Sequence, residues 1–131
     1  MDDILLGKRI LLVEDDELVA MAVEDVLIYG GAGSVEVAGS VNRALEMLAR
    51  HDFDVAIVDI SLRGEASWPV AEELRRREIP YLTVTGYGDM QGHELATNLL
   101  QKPYSMEALL KAVSALIASA PSSGTNFGSS S

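Results

Sequence analysis

Short apolar runs alternate with segments of helical periodicity along most of the chain. Runs rich in Val, Ile and Leu are typical of strands that lie buried inside a parallel sheet. The predicted strands span 8–13, 34–38, 54–58, 80–84 and 99–101. Apolar residues that recur with helical spacing predict helices over 17–29, 41–50, 69–78 and 106–118. Strands that alternate with helices indicate an α/β fold, in which a doubly wound parallel sheet carries helices on both faces.

Residues at the predicted helix ends agree with this assignment. Ser40 and Ser105 are typical N-caps, and Pro69 suits the first turn of the third helix. The alternation breaks between Thr85 and Lys102, where a glycine-rich segment leaves little room for both a helix and a strand. The fourth helix is therefore predicted to be short, irregular or mobile.

Length and composition fit a single folded domain. The chain has 131 residues, of which 48% are hydrophobic, which is enough for one buried core. We expect the domain to occupy residues 1–118. A Ser/Gly-rich tail over 119–131 follows, and its composition predicts disorder.

Charge and residue usage exclude several classes of protein. The formal net charge of −10 weighs against direct binding to nucleic acid, because that affinity depends on Lys and Arg. Without cysteine, the chain forms no disulfide framework and no Cys-based zinc site. No apolar run approaches the roughly 20 residues that span a bilayer, and Asp2 and Asp3 do not fit a basic signal-peptide start. These features predict a cytoplasmic protein with no membrane partner.

Polar residues stand at the ends of four predicted strands. The acidic run 14–16 follows the first strand, Asp59 the third, Thr85 the fourth and Lys102 the fifth. Because parallel strands place their carboxyl ends at one edge of the sheet, these side chains should lie close together. Carboxylates suit Mg²⁺, whereas a hydroxyl and an ammonium group suit phosphoryl oxygens. The sequence therefore predicts a Mg²⁺-dependent phosphoryl acceptor.

Each of these residues taken alone also has a simpler explanation. Asp15 and Asp16 would cap the first helix well. Thr85 alone is more often a turn residue than a ligand, and Lys102 alone is more often a surface lysine. Only the ordered set of residues favours a functional site.

In this order and spacing, the residues resemble the receiver domain of bacterial two-component response regulators. The resemblance rests on Glu14-Asp15, Asp59, Thr85-Gly86 and Lys102-Pro103, and it covers about residues 7–118. It implies a five-stranded sheet of order 2-1-3-4-5, the flavodoxin-like or CheY-like fold. It also implies that a sensor histidine kinase transfers a phosphoryl group to an aspartate of the domain. Such a domain catalyses only its own phosphorylation and dephosphorylation, so we do not expect an enzyme in the wider sense.

Carried onto this chain, the resemblance makes Asp59 the phosphoryl acceptor and Mg²⁺ the cofactor. Asp15 would bind the metal directly and Glu14 would bind it through water. Asp59 itself and the backbone carbonyl of Ser61 would complete the protein ligands. Asp16 adds a third neighbouring acid, and whether it shares in metal binding is an alignment choice. The family spacing favours Glu14 and Asp15.

The resemblance also implies that Thr85 hydrogen-bonds one phosphoryl oxygen and that Lys102 pairs with another. The chain departs from the family pattern in the loop 60–65, which lacks the proline that most members carry there. Leu99 stands where many members have an aromatic switch residue, three positions before the lysine. The usual coupling between threonine and aromatic ring therefore lacks its partner at that position.

One segment resembles a particular subgroup, the FATGUY receivers. The match lies over 83–88, although Thr83 and Val84 replace the Phe and Ala of the subgroup. The subgroup is often paired with HWE-type histidine kinases and has an altered fourth helix. We expect Tyr87 to be the switch residue that moves when Asp59 is phosphorylated.

The predicted function is that of a single-domain response regulator in a two-component phosphorelay. Its output would be contact with an unidentified downstream protein, or the draining of phosphate from a kinase. One alternative is a protein-binding module that acts without phosphorylation. Another is a small aspartyl-phosphate phosphohydrolase, but such enzymes often carry a second aspartate where this chain has Ser61. A flavodoxin-like cofactor binder is disfavoured, because the acidic run 14–17 would repel a phosphate.

Overall fold

The structure, a computed structural model, describes residues 4–62, 64–86, 95 and 98–119. Most of the segment predicted to form an irregular fourth helix lies outside these residues, as does the chain beyond Ser119. The strands are β1 (Arg9–Val13), β2 (Ser34–Ala38), β3 (Val55–Asp59), β4 (Ser61–Leu62), β5 (Glu65–Ala66), β6 (Tyr81–Thr85) and β7 (Leu99–Gln101). The helices are α1 (Glu17–Tyr29), α2 (Val41–Arg50), α3 (Trp68–Arg76) and α4 (Met106–Ser119).

Five of the strands form one parallel sheet in the order β2-β1-β3-β6-β7. This is the predicted order 2-1-3-4-5, since β4 and β5 pair only with each other. The central strand β3 is buried along its whole length, as its continuous apolar run predicts. The α/β prediction is therefore confirmed.

Alternate residues of the strands fill two apolar layers, one on each face of the sheet. Leu11 and Val13 pack with α2 and α3, whereas Ile10 and Leu12 pack with α1 and α4. Burying a side chain of this size contributes roughly 1.5–3 kcal/mol to folding. Packing on both faces holds the sheet in place and thereby fixes the positions of the strand ends that carry the polar residues.

Two local predictions were wrong, one in the region 60–67 and one at the end of the third helix. The region 60–67 is not a plain loop, because Ser61–Leu62 pairs with Glu65–Ala66 in a short antiparallel hairpin. Gly64 takes a positive φ of 84° in its turn, a conformation that glycine adopts at little cost. The last helix ends at Ser119.

The third helix ends at Arg76, earlier than predicted, and the backbone shows why. Glu78 has a left-handed φ of 61°. The Ile79 N–H donates to the Leu74 carbonyl at 2.9 Å, and the Glu78 N–H donates to the Arg75 carbonyl at 3.0 Å. These bonds form a Schellman motif, which closes a helix and usually has glycine at the left-handed position.

The predicted helix caps are present. The Ser40 hydroxyl accepts a hydrogen bond from the Arg43 N–H, and the Ser105 hydroxyl accepts one from the Ala108 N–H. Within the described part of the chain, no helix is both long and apolar enough to cross a bilayer.

Candidate functional site

The sheet brings the predicted residues to one edge. Glu14 directly follows β1, Asp59 and Thr85 end β3 and β6, and Lys102 directly follows β7. Backbone hydrogen bonds continue past the strand ends: the Glu14 N–H donates to the Ala38 carbonyl at 3.0 Å, and the Lys102 N–H donates to the Thr85 carbonyl at 2.7 Å. The positions of these residues are therefore set by the sheet rather than by free loops.

Three carboxylates form an acidic cluster at this edge. Glu14, Asp15 and Asp59 each offer an oxygen atom, and these atoms lie within 4.8 Å of one another. Glu14 and Asp59 are buried, with exposed fractions of 6% and 5%. Buried carboxylates this close repel each other, so the cluster needs a positive charge to remain fully ionised.

Asp16 has a structural role that differs from that of its acidic neighbours. Its Oδ1 accepts hydrogen bonds from the Leu18 N–H at 3.0 Å and the Val19 N–H at 3.2 Å. Asp16 is therefore the N-cap of α1. The capping role, considered in the sequence for both Asp15 and Asp16, is seen at Asp16.

Lys102 supplies a positive charge to the acidic cluster. Its Nζ donates a hydrogen bond of 2.7 Å to Asp59 Oδ2. Burial disfavours the charged ammonium group, but the hydrogen bond to Asp59 and the charges of Asp59 and Glu14 outweigh it and raise the pKa of Lys102. Lys102 therefore stays protonated beside the carboxylate of Asp59.

One lysine does not neutralise the whole cluster. Burial raises the pKa of Glu14 to about 7, and the charge of Asp59 and a hydrogen bond with it add to the effect. A backbone hydrogen bond from the Asp16 N–H to Glu14 Oε2, at 3.1 Å, opposes this rise only in part. Without a metal, Glu14 therefore keeps its proton up to a higher pH than an ordinary glutamate does.

The donor set of the acidic cluster fits Mg²⁺. All its donors are carboxylate oxygens, the ligands that this hard cation prefers, and Mg²⁺ typically uses one or two carboxylates and keeps several waters. A divalent cation would also offset the charge of Asp59, which adds to the effect of burial on the pKa of Glu14. No nitrogen or sulfur donor that would favour zinc belongs to the described cluster.

Three further residues were predicted to belong to the site: Thr85, Ser61 and Tyr87. Thr85 is buried at the end of β6, and Ser61 starts the hairpin two residues after Asp59. The switch candidate Tyr87 lies outside the described residues, so its role stays a prediction.

Two residues beside the site had no role in the sequence-based prediction. The Ser67 hydroxyl donates to the backbone carbonyls of Asp59 and Ile60, at 2.6 Å and 3.0 Å. Tyr104 is half-buried, and burial followed by the charge of Glu14 raises its pKa. Tyr104 directly follows Lys102-Pro103, so its position in the sequence already indicated that it lies near the site. Ser67 gave no such signal, because a serine before a helix is usually its cap.

Comparison with known proteins identifies the family. The model of the response regulator receiver domain matches residues 10–114, and the chain therefore belongs to this family. Receiver domains are signalling modules of two-component systems that take phosphoryl groups from histidine kinases. They bind Mg²⁺ in an acidic pocket, and the acidic cluster of this chain is suited to that role.

Two curated relatives match this chain over only part of their own length. The response regulator FleR of Pseudomonas aeruginosa is 33% identical over 115 residues, which are 82% of this chain and 24% of FleR. The response regulator MprA of Mycobacterium leprae is 31% identical over 116 residues, which are 83% of this chain and 50% of MprA. The chain thus spans half or less of the length of these relatives.

Solved structures share the fold over nearly the whole domain. SdrG from Sphingomonas melonis is 37% identical, with a TM-score of 0.68, and the match covers 89% of this chain and 99% of SdrG. The receiver domain of the sensor histidine kinase PA1611 from Pseudomonas aeruginosa is 23% identical, with a TM-score of 0.75 and coverage of 86% and 99%. In that structure a magnesium ion is coordinated in the active site cleft.

Proposed function

We propose that this chain is a single-domain response regulator that accepts a phosphoryl group on Asp59 from the phosphohistidine of a sensor kinase. One observation carries the proposal: Asp59 belongs to the acidic cluster and also lies 2.7 Å from the Nζ of Lys102. A nucleophilic carboxylate for phosphoryl transfer needs both a metal-binding neighbourhood and a fixed cation that favours its charge.

The reaction requires little covalent chemistry from the protein. A carboxylate oxygen of Asp59 attacks phosphorus while the bond from phosphorus to the histidine nitrogen breaks. The transition state is loose and spreads negative charge over the equatorial oxygens. Lys102 would pair with one of these oxygens, and the hydroxyl of Thr85 would donate a hydrogen bond to another. Bound Mg²⁺ would supply the remaining neutralisation of charge.

The metal ligands follow from the same proposal. Asp15 and Asp59 would bind Mg²⁺ directly, Glu14 would act through water, and the backbone carbonyl of Ser61 would add a further oxygen. Their support is the close approach of the three carboxylates and the separate capping role of Asp16.

The partners and the output are also part of the proposal. The sequence over 83–88 supports a place in the FATGUY subgroup, with an HWE-type kinase as donor and Tyr87 as the switch. The output would be contact with a downstream protein or the draining of phosphate from the kinase, in the cytoplasm. We propose neither direct binding to nucleic acid nor a membrane partner.

Binding of beryllofluoride, a stable mimic of a phosphoryl group on a carboxylate, tests the proposal. We expect NMR shifts around the strand ends of β3, β6 and β7 only when Mg²⁺ is present. The variant Asp59→Asn should show none of them, whereas Asp25→Asn, which removes an exposed acid on α1, should behave as the wild type. Shifts in Asp59→Asn equal to those of the wild type would overturn the assignment of the acceptor.

A further inference from the structure

Ser67 stands at the N-cap position of α3 but does not cap that helix. Its hydroxyl makes no hydrogen bond to the N–H groups of the first turn. The side chains of Asp16, Ser40 and Ser105, at the corresponding positions of the other three helices described, all accept such bonds. The hydroxyl of Ser67 is therefore used for something other than the helix that it precedes.

The hydroxyl of Ser67 points back to the acceptor strand instead. It lies 2.6 Å from the carbonyl oxygen of Asp59 and 3.0 Å from that of Ile60. A hydroxyl has one proton, so the two carbonyl oxygens share it. Ser67 is only 1% exposed, and a hydrogen bond in such a buried place is costly to lose.

Ile60 is held from both sides as a result. Its N–H donates to the Val84 carbonyl at 2.9 Å, which extends the pairing of β3 with β6. Its carbonyl accepts from the Ser67 N–H at 2.8 Å as well as from the Ser67 hydroxyl. The backbone between Asp59 and Ser61 is therefore fixed by bonds to the sheet on one side and to α3 on the other.

The anchor of these bonds is itself rigid. The Val70 N–H donates to the Ser67 carbonyl at 2.9 Å, so the backbone of Ser67 is bonded to the first turn of α3. Val70, Ala71 and Leu74 fasten this helix in the apolar layer. The sequence 60–65 has no proline, and the bonds from Ser67 restrict the backbone at Asp59 and Ile60 by another route.

We infer that Ser67 is a positioning residue for the metal site. By holding the carbonyls of Asp59 and Ile60, it sets the backbone path from the acceptor carboxylate to the carbonyl of Ser61. Both of these groups are metal ligands in the proposed function, on which this inference rests. Groups that orient metal ligands from behind typically change metal affinity by roughly ten- to a hundredfold when they are removed.

The test compares the Mg²⁺ affinity and the thermal stability of three variants, each without added phosphoryl donor. Ser67→Ala removes the hydroxyl, and Ser67→Thr keeps one. Ser40→Ala removes a serine hydroxyl that caps α2, so it controls for the loss of stability alone. The Mg²⁺ dissociation constant is measured by NMR titration well below the melting temperature of each variant, which is recorded separately in metal-free buffer.

We expect Ser67→Ala to raise the Mg²⁺ dissociation constant roughly tenfold, Ser67→Thr to stay closer to the wild type, and Ser40→Ala to leave it unchanged. An unchanged affinity in Ser67→Ala, with a melting temperature lowered as in Ser40→Ala, would show a purely structural role and overturn the inference. Equal weakening in Ser67→Ala and Ser67→Thr would also overturn it. A wild type that binds no Mg²⁺ would refute the proposed function itself, and the inference with it.

Discussion

Lys102 reaches the carboxylate of Asp59 at 2.7 Å, although β6 lies between the strands that lead to these two residues. The ion pair therefore spans the carboxyl edge of the sheet, across the position where β6 ends at Thr85. The ion pair places a positive charge beside Asp59, the acid of the described cluster that we assign as the nucleophile. The same ammonium group is then close at hand for an oxygen of an incoming phosphoryl group.

Replacement of Lys102 tests this double use. In Lys102→Met the charge on the transferring phosphoryl group loses a partner, so phosphorylation by acetyl phosphate should slow on the order of a hundredfold. Mg²⁺ binding should persist, because the acidic cluster keeps all its carboxylates. Rates come from intact-protein mass spectra recorded over time. Lys111→Met, which removes an exposed lysine from α4, should react like the wild type. A similar slowing in both variants would point to net charge rather than to the site.

Asp15 and Asp16 should differ sharply although they are neighbours. Both Asp15→Asn and Asp16→Asn remove one negative charge, but only the first removes a proposed metal ligand. We expect Asp15→Asn to weaken Mg²⁺ binding roughly tenfold or more. Asp16→Asn should change it little, because asparagine is as good an N-cap for α1. Calorimetric or NMR titration with Mg²⁺ distinguishes the two. Equal losses would mean that Asp16 also serves the metal.

The raised pKa of Glu14 predicts how the metal-free protein responds to pH. The value in the folded state is about 7, above the ordinary 4.5, so the folded state holds this proton more tightly than the unfolded state. The stabilising contribution is therefore complete below pH 4.5 and is lost as the pH rises to about 7. The loss should be on the order of 3 kcal/mol in the free energy of unfolding.

Urea unfolding across that pH range measures the contribution of Glu14. Glu14→Gln should flatten the fall in stability, because glutamine has no proton to lose. Glu36→Gln, at an exposed position on β2, should keep the slope of the wild type. If Glu14→Gln and the wild type lost stability in parallel, Glu14 would not be the titrating group.

Mg²⁺ binding should depend on the same proton. A metal that uses Glu14, even through water, competes with its proton, so the affinity should rise with pH and level off above about 7. Below that pH each unit should cost up to about tenfold in affinity. Titrations at a series of pH values measure this slope. A pH-independent affinity from pH 5 to pH 8 would separate Glu14 from the metal site.

Much of the fold was predictable because its signals are local. Continuous apolar runs identified four strands of the main sheet, and an alternating pattern identified the fifth, β2. The alternation with helices identified their parallel arrangement. The hairpin was missed because its strands, Ser61–Leu62 and Glu65–Ala66, are too short to show a periodic pattern. The early end of α3 was missed because the left-handed position that closes it is Glu78 rather than glycine.

The site was predictable to the extent that it depends on strand ends. Glu14, Asp59, Thr85 and Lys102 all stand at or next to the ends of parallel strands, and the fold brings such ends together. The role of Ser67 was not predictable, because its hydroxyl turns away from the helix that a serine at this position normally caps. Only the three-dimensional structure shows that this hydroxyl donates to the carbonyls of Asp59 and Ile60.

The most direct test of the central claim is the intact mass of the protein after incubation with acetyl phosphate, with and without Mg²⁺. We predict a single phosphoryl adduct that requires Mg²⁺, is absent from Asp59→Asn and is retained in Asp25→Asn. An adduct of the same extent in Asp59→Asn, or one that forms equally well without Mg²⁺, would contradict the account.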